Sequence, residues 1–315
     1  MKRDQESLQS RALAISVVIP THNRYKQLFS LLQSLRECAP PSVIETIVVD
    51  DSDVPSENLA TTFSDMKLKH ITTTGRLYIS KSKNIGWRKA VGDFVFFIDD
   101  DNVVSAETFP RLLNKISELP EVGAIMPAVV YKSSPEIVWV YYTPYSKDRW
   151  SHILIGRNQP RNQKLEGQYV ETDALPNAFL ARKSALLSVN GFDELLPVNS
   201  SADLAGRLKQ TGYCVLADTG SFIYHDVPPP SENNFWVRHG LDDPDRVFYE
   251  FKDWFVLMRR NHKDEWFFTP RALFHSARFA LPNTLAYLVL GRGKRSRLLF
   301  SVVRGTIYGL KKSGQ

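Results

Sequence analysis

Apolar and polar positions along this chain switch repeatedly between a strand-like and a helix-like pattern. Ile15-Ser16-Val17-Val18-Ile19 is a short apolar run that predicts a buried strand. Pro20-Thr21-His22-Asn23-Arg24 breaks it, after which Leu28, Leu31, Leu32 and Leu35 recur at helical spacing. Ile44 to Val49 predicts a second strand that runs into Asp50-Asp51-Ser52-Asp53, and a third is expected around Leu68 to Ile71. A helix is predicted over Ser80 to Ala90, and Gly92-Asp93 turns the chain into a strand over Phe94 to Ile98. Strands joined by helical crossovers predict the α/β class, a doubly wound and mostly parallel sheet flanked by helices. Ligands bind beyond the carboxyl ends of such strands, so the polar loops at Thr21, Asp51 and Asp99 to Asp101 are expected to converge on one crevice.

After a predicted helix over Glu107 to Leu119 the regularity weakens. Ile137, Trp139 and Tyr141 alternate with Val138 and Val140 as in a strand, inside an aromatic stretch that includes Tyr142, Tyr145 and Trp150. Those rings suit core packing or the face of a sugar. Ala178 to Ala181 reads as a strand, Arg182 to Val189 as a helix and Gly191-Phe192-Asp193-Glu194 as a turn. Asp203 to Thr211 reads as a helix and Tyr213 to Ala217 as a strand. Residues 226–234, with three consecutive prolines, predict a connector to C-terminal helices.

The run Phe94 to Ile98 ends in Asp99-Asp100-Asp101. Like charges this close raise one another's pKa, so keeping all three ionised at neutral pH calls for a counter-charge such as Mg²⁺ or Mn²⁺ held through oxygen. Such a cation implies an anionic ligand to bridge, most often a diphosphate. A solvated acidic turn is the alternative, since Asp is common after strands, and context has to decide.

Composition adds location more than class. With 315 residues, 43% hydrophobic and 23% charged, the chain is long enough for a full core and has no low-complexity tract. Cys38 and Cys214 lie far apart without metal-ligand spacing, and Met1 to Ser10 lacks the apolar stretch of a signal peptide; both predict a reducing cytoplasm. The net charge of +6 is uneven: residues 266–315 hold nine Lys or Arg and no acid, leaving 31 bases against 34 acids in the rest. That argues against a nucleic-acid groove across the protein. Arg297, Arg304 and Lys311 recur every seven residues, and Leu299, Val303, Ile307 and Leu310 fall near another face. This predicts an in-plane amphipathic helix at the anionic inner face of the cell membrane. A basic helix packed on the main domain or on a partner subunit is the competing use. Phe279 to Leu290 is too short to span a bilayer.

Five segments, in their order and separation, resemble the inverting glycosyltransferases of family 2, which have the GT-A fold. They are Val17-Val18-Ile19-Pro20-Thr21-His22-Asn23-Arg24, Val48-Val49-Asp50-Asp51-Ser52, Lys83-Asn84-Ile85-Gly86, Phe97-Ile98-Asp99-Asp100-Asp101 and Gly191-Phe192-Asp193-Glu194. The resemblance, to enzymes of bacterial and archaeal cell-surface glycans, implies a tail over 1–13, a GT-A domain over 14–226 and a linker with basic amphipathic helices over 227–315. Within the domain it implies a donor half over about 14–104 and an acceptor half over about 105–226. It implies that Pro20, Thr21, Asn23, Arg24 and Asp51 hold the nucleoside, Asp51 being suited to accept from a base N–H. Asp100 would reach the ribose hydroxyls, Asp99 and Asp101 of the DXD motif would approach Mg²⁺ or Mn²⁺ with His225, and Lys83 and Asn84 would lie near the nucleotide. The implied partners are a UDP-, GDP- or dTDP-linked sugar and a glycan or lipid-linked acceptor.

One departure bears on the chemistry. Inverting transfer needs a carboxylate to take the acceptor hydroxyl's proton, and relatives supply it from an acidic pair just before an Asp-Leu at a helix start. Here Ser200 and Ser201 stand at that pair, ahead of Asp203-Leu204. Asp203 is the expected base; a helix-capping role, another acid such as Asp173 or Asp193, a polyprenyl phosphate acceptor that needs no strong base, and a non-catalytic donor-binding scaffold are the alternatives.

Overall fold

The structure, a computed structural model, describes residues 13–229, 244–262, 270–290 and 294–312. Residues 1–12 of the expected tail and 230–234 of the connector lie outside them.

The first half is built as its pattern predicts. Strands β1 (Ile15–Thr21), β2 (Val43–Asp50), β3 (Leu68–Thr72) and β4 (Phe94–Ile98) lie parallel in the order β4-β1-β2-β3. Helices α1 (Tyr25–Cys38), the short α2 (Leu59–Thr62) and α3 (Tyr78–Lys89) carry the crossovers. α1 buries Leu28, Leu31, Leu32 and Leu35, the stripe that a 3.6-residue period puts on one face. Gly86 lets α3 approach β1 closely, because a Cβ there would run into Val18. Register pairs Thr21 with Asp50 and Asp50 with Thr72, so these strands end together along one edge.

The second half continues the sheet with mixed polarity. After β5 (Asn102–Val103) and α4 (Thr108–Glu118) come β6 (Val122–Tyr131), β7 (Ser134–Val140), the small pair β8 (Tyr145–Ser146) and β9 (Ser151–His152), and β10 (Tyr169–Glu171). β11 (Ala178–Arg182) runs antiparallel between β4 and β6, followed by α5 (Lys183–Ser188), α6 (Ser200–Gln210) and β12 (Cys214–His225). The main order is β10-β12-β6-β11-β4-β1-β2-β3. β6 is buried throughout yet carries no periodic signal, and Pro127 interrupts it. Proline has no N–H for the ladder, and the parallel neighbour β12 shifts register there, pairing Asp218 with Pro127 and then Phe222 with Ala128.

Asp50 at the end of β2 is fully buried and shows what fixes that strand end. It accepts from His70 Nε2 (2.9 Å), the Tyr25 hydroxyl (2.8 Å) and the Ser52 amide (3.0 Å). Burial would raise its pKa, but these hydrogen bonds, with that of the Ser52 hydroxyl, win and hold it down to about 2. A carboxylate lowered on folding stabilises above its unfolded pKa and loses that contribution as pH falls through the folded value. Denaturant unfolding is therefore expected to show about 2 kcal/mol lost from Asp50 between roughly pH 4 and pH 2. Asp50→Asn should flatten that window; an unchanged pH slope in the variant would refute the assignment.

Helices α7 (Pro244–Asn261), α8 (Pro270–Leu290) and α9 (Arg295–Lys312) build a second core around Trp150, Phe251, Phe255, Met258 and Leu298. Trp150 stacks on His262 and His275, so part of the aromatic stretch serves to dock these helices. Gly305 and Gly309 face the Phe248 and Lys252 carbonyls, where a Cβ has no room, and let α9 lie tightly on α7. Val303 and Ile307, on the predicted apolar face, point outward with Phe300. Among the described residues no helix is long and apolar enough to cross a membrane.

Candidate active site

The strand ends place the sequence-predicted polar loops around one crevice. Pro20, Thr21 and Arg24 from the end of β1, Asp51 after β2, Asp99 to Asp101 after β4 and His225 at the end of β12 all line it. Thr21 donates from Oγ1 to Asp100 Oδ2 at 2.8 Å. Arg24 bridges Asp100 Oδ1 (3.2 Å) and Asp101 Oδ2 (2.8 Å), and Lys83 pairs with Asp99 at 2.8 Å. The triplet is thus held by a guanidinium and an ammonium as well as by hydrogen bonds.

The three acids differ in surroundings. Burial pushes Asp100 up to about 7 despite Arg24, with Asp101 adding repulsion. For Asp101, burial acts in the same direction, but the hydrogen bond and charge of His225, backed by Arg24, hold it below the usual carboxylate range. Asp101 Oδ1 lies 3.5 Å from His225 Nε2. The His225 ring is set edge-on against Trp139, and its buried Nδ1 has no hydrogen-bond partner. Among the described residues no three His, Cys, Asp or Glu side chains gather as a metal cluster. A cation with ligands at about 2.0–2.1 Å brings neighbouring ligand atoms to roughly 3 Å, so Asp101 and His225 fit as a two-residue share of a site completed by ligand oxygens and water. Asp99, expected to join them, is engaged instead by Lys83.

Asp51 both lines the crevice and shapes it. Its Oδ2 accepts from the Leu77 and Tyr78 amides at 2.5 and 3.3 Å, and its Oδ1 lies 3.1 Å from His22 Nδ1. Tyr78 opens α3 with φ +62, a left-handed conformation unusual for an aromatic residue, held by that amide contact. Arg76 and Tyr78 join the lining. No motif in the sequence marked either of them.

Residues 16–187, more than half of the chain, match the family described as Glycosyl transferase family 2. The chain belongs to that family. The pre-mycofactocin glycosyltransferase of Mycobacterium tuberculosis is 27% identical over 217 residues, 67% of this chain and 42% of that protein. An uncharacterized glycosyltransferase of Haemophilus influenzae is 28% identical over 113 residues, 37% of its length. The chain therefore spans about two fifths of these curated relatives. Among solved structures, the mannosyltransferase PcManGT of Pyrobaculum calidifontis, in complex with GDP-Man and Mn²⁺, superposes with a TM-score of 0.54 at 16% identity, over 99% of this chain and 92% of that one. This is a likeness of fold.

The crevice continues past the triplet, and a second hollow shares Asp99, Asn177 and Val198 with it. Lys83, Trp139, Ser200 and Ser201 line this part, together with Arg246, Glu250, Trp254 and Phe279 from α7 and α8. Asn177, at φ +63, accepts the Asp99 amide through its carbonyl at 2.9 Å and joins the two halves.

Three predicted site residues are not brought to the crevice. Asn23 donates to Asp53 at 2.7 Å and staples the first two loops together. Asn84 is buried, with its amide bonded to the Phe192 carbonyl and Glu194 and its oxygen accepting from the Phe192 amide and Trp87, all at 2.9 Å. It ties α3 to the 191–194 turn. A Cβ on Gly191 (φ +70) would strike Asn84 and Trp87, which explains the distant pairing of Lys83-Asn84-Ile85-Gly86 with Gly191-Phe192-Asp193-Glu194. Asp203 is the third. α6 begins at Ser200, so Asp203 is not its cap; its Oδ2 accepts from Arg207 Nε at 2.7 Å and its Oδ1 from Arg260. Both of its carboxylate oxygens are thus engaged by guanidinium groups in a buried setting.

Proposed function

We propose that this chain transfers a sugar from a nucleoside-diphosphate sugar to an acceptor hydroxyl, with inversion at the anomeric carbon and with Mg²⁺ or Mn²⁺. The observation that carries the reading is the convergence of Thr21, Asp51, Asp100, Asp101 and His225 on one crevice that opens into a second, aromatic-lined one. The first takes the donor: Asp51 lies at the base end, Asp100 addresses the ribose, and Arg24 and Lys83 lie by the acids nearest the diphosphate. Asp101 and His225 would hold the cation, which supplies Lewis-acid stabilisation of the departing diphosphate. The mannosyltransferase neighbour carries GDP-Man and Mn²⁺, which supports this class of donor and metal. Incubation with UDP-, GDP- and dTDP-sugars in Mn²⁺, with and without EDTA, tests the proposal through released nucleoside diphosphate and the anomeric configuration of any product. Metal-dependent release with inverted product is expected; nucleotide binding without turnover across a broad acceptor panel would favour the scaffold reading.

The acceptor is proposed to be a lipid-linked or cell-surface glycan reached at the inner face of the cell membrane. The support is the outer surface of α8 and α9, where Phe274, Leu281, Leu285, Val289, Phe300 and Val303 are exposed beside a segment rich in Lys and Arg and devoid of acids. Co-sedimentation should show binding to vesicles containing anionic lipid that falls steeply with salt and is lost in Phe300→Glu/Val303→Glu. Undiminished binding by that variant would defeat the membrane reading.

A further inference from the structure

With Ser200 and Ser201 at the start of α6 and Asp203 locked between Arg207 and Arg260, the family's usual source of a proton acceptor offers only hydroxyls. The other two acids the sequence offered are engaged elsewhere. Asp193 pairs with Arg260 at 2.6 Å, and Asp173 binds Lys209 and the Tyr145 amide. Among the described residues, the acids on the wall of the second hollow are Asp99, which faces Lys83 at the junction with the donor crevice, and Glu250.

Glu250 reaches the hollow from α7. Arg246, Glu250 and Trp254 are spaced i, i+4, i+8, so one face of the helix carries a guanidinium, a carboxylate and an indole along the hollow that the two serines also line. Trp254 is stacked on Phe279 of α8 with ring centroids 4.4 Å apart and 1° between planes, which fixes an apolar platform beside the carboxylate. Glu250 accepts from Arg246 Nε at 3.0 Å, an intrahelical pair whose members are 29% and 51% exposed, in contrast to the 2% of Asp203. One turn on, α7 is anchored to the loop before α6: Asp253 accepts from the Val198 and Asn199 amides at 2.9 and 3.0 Å, and Lys252 donates to the Leu195 carbonyl. The carboxylate is thus held on the wall of the hollow that Ser200 and Ser201 also line.

We propose that Glu250 is the catalytic base and that Trp254 is the platform for a sugar acceptor, so that α7 supplies from outside the α/β sheet what α6 lacks. The inference rests on the transfer reading above. In the step, the acceptor oxygen forms the bond to the anomeric carbon, its proton passes to the Glu250 carboxylate, and the bond from the anomeric carbon to phosphate breaks with its electron pair leaving on the nucleoside diphosphate. A ring stacked on Trp254 presents its edge hydroxyls toward its surroundings, the arrangement a neighbouring carboxylate can use.

The test uses the full chain, the donor it turns over, and a panel of alkyl glycosides with polyprenyl phosphate as a second class of acceptor. Glu250→Gln is expected to lower kcat about 10²- to 10⁴-fold, with donor KM and the thermal midpoint close to the parent's, and to remove the acid limb of the pH–rate profile. Trp254→Ala should raise acceptor KM, and Ser201→Asp in the Glu250→Gln background should restore part of the rate by returning a carboxylate to the hollow. Glu250→Gln with a rate within about threefold of the parent's and the same pH profile overturns the proposal, as does turnover confined to polyprenyl phosphate and insensitive to Glu250. A parent without turnover on any donor defeats the transfer reading itself, which separates the two failures.

Discussion

Asp101→Ala is expected to abolish measurable sugar transfer, lowering turnover at least about 10²- to 10³-fold, the scale on which single groups that stabilise a developing anion act. The residue joins several contacts, among them the ion pair with Arg24 at 2.8 Å, the approach to His225 at 3.5 Å, and the backbone link by which its carbonyl accepts the Asp226 amide at 2.7 Å. Of these, only the first two depend on the side chain, so the fold should survive. Steady-state kinetics over a Mn²⁺ titration check this. The variant should show no metal-dependent rise at concentrations that saturate the parent, whereas a full response to Mn²⁺ in Asp101→Ala would place the cation elsewhere. His225→Ala should reproduce the weakened metal response in milder form, since a carboxylate remains.

The largest stability effect is expected at Asp253, on the helix that lines the second hollow. Its side chain is fully buried beside Lys252 at 2.9 Å and accepts the two amides that precede α6, which has no side-chain cap of its own. Burial raises its pKa, opposed by Lys252 and by those amides. Asp253→Ala leaves a buried ammonium and two amides without their partner, a loss of about 3–5 kcal/mol. Replacing both members, Lys252→Met with Asp253→Leu, should cost less than Asp253→Ala alone, because no buried charge is stranded. Equilibrium urea unfolding decides it: a loss under about 1 kcal/mol in Asp253→Ala would mean that water already shares this pair.

The crevice at the strand ends was legible because its signals are local. Apolar runs of five to seven residues ending in polar loops gave β1, β2 and β4, and a parallel sheet aligns such ends automatically, so Thr21, Asp51 and Asp99 to Asp101 meet. The same local reading misassigned Asn84, because an amide that closes a turn 108 residues away looks, in sequence, like one that meets a ligand. β6 was missed because a strand buried on both faces has no alternation to detect, and Pro127 argued against it until a register shift in β12 accommodated it. The second hollow was hardest for a related reason: the Val198 and Asn199 amides before α6 are held by Asp253, and Ser200 and Ser201 line the hollow together with Glu250 and Trp254, with Asp253, Glu250 and Trp254 all on a helix some fifty residues downstream. Asp203 was expected to be the base from its position near that helix start, and Arg260, which engages it, comes from the same distant helix.

The central claim is that the crevice at the ends of β1, β2, β4 and β12 binds a nucleoside diphosphate with a divalent cation. Thermal unfolding of the full chain with UDP, GDP and dTDP, each with and without Mn²⁺, tests it most directly. One of these nucleotides should raise the midpoint in a Mn²⁺-dependent, concentration-dependent way in the parent and not in Asp101→Ala. No shift with any nucleoside diphosphate, or an equal shift in Asp101→Ala, would contradict it.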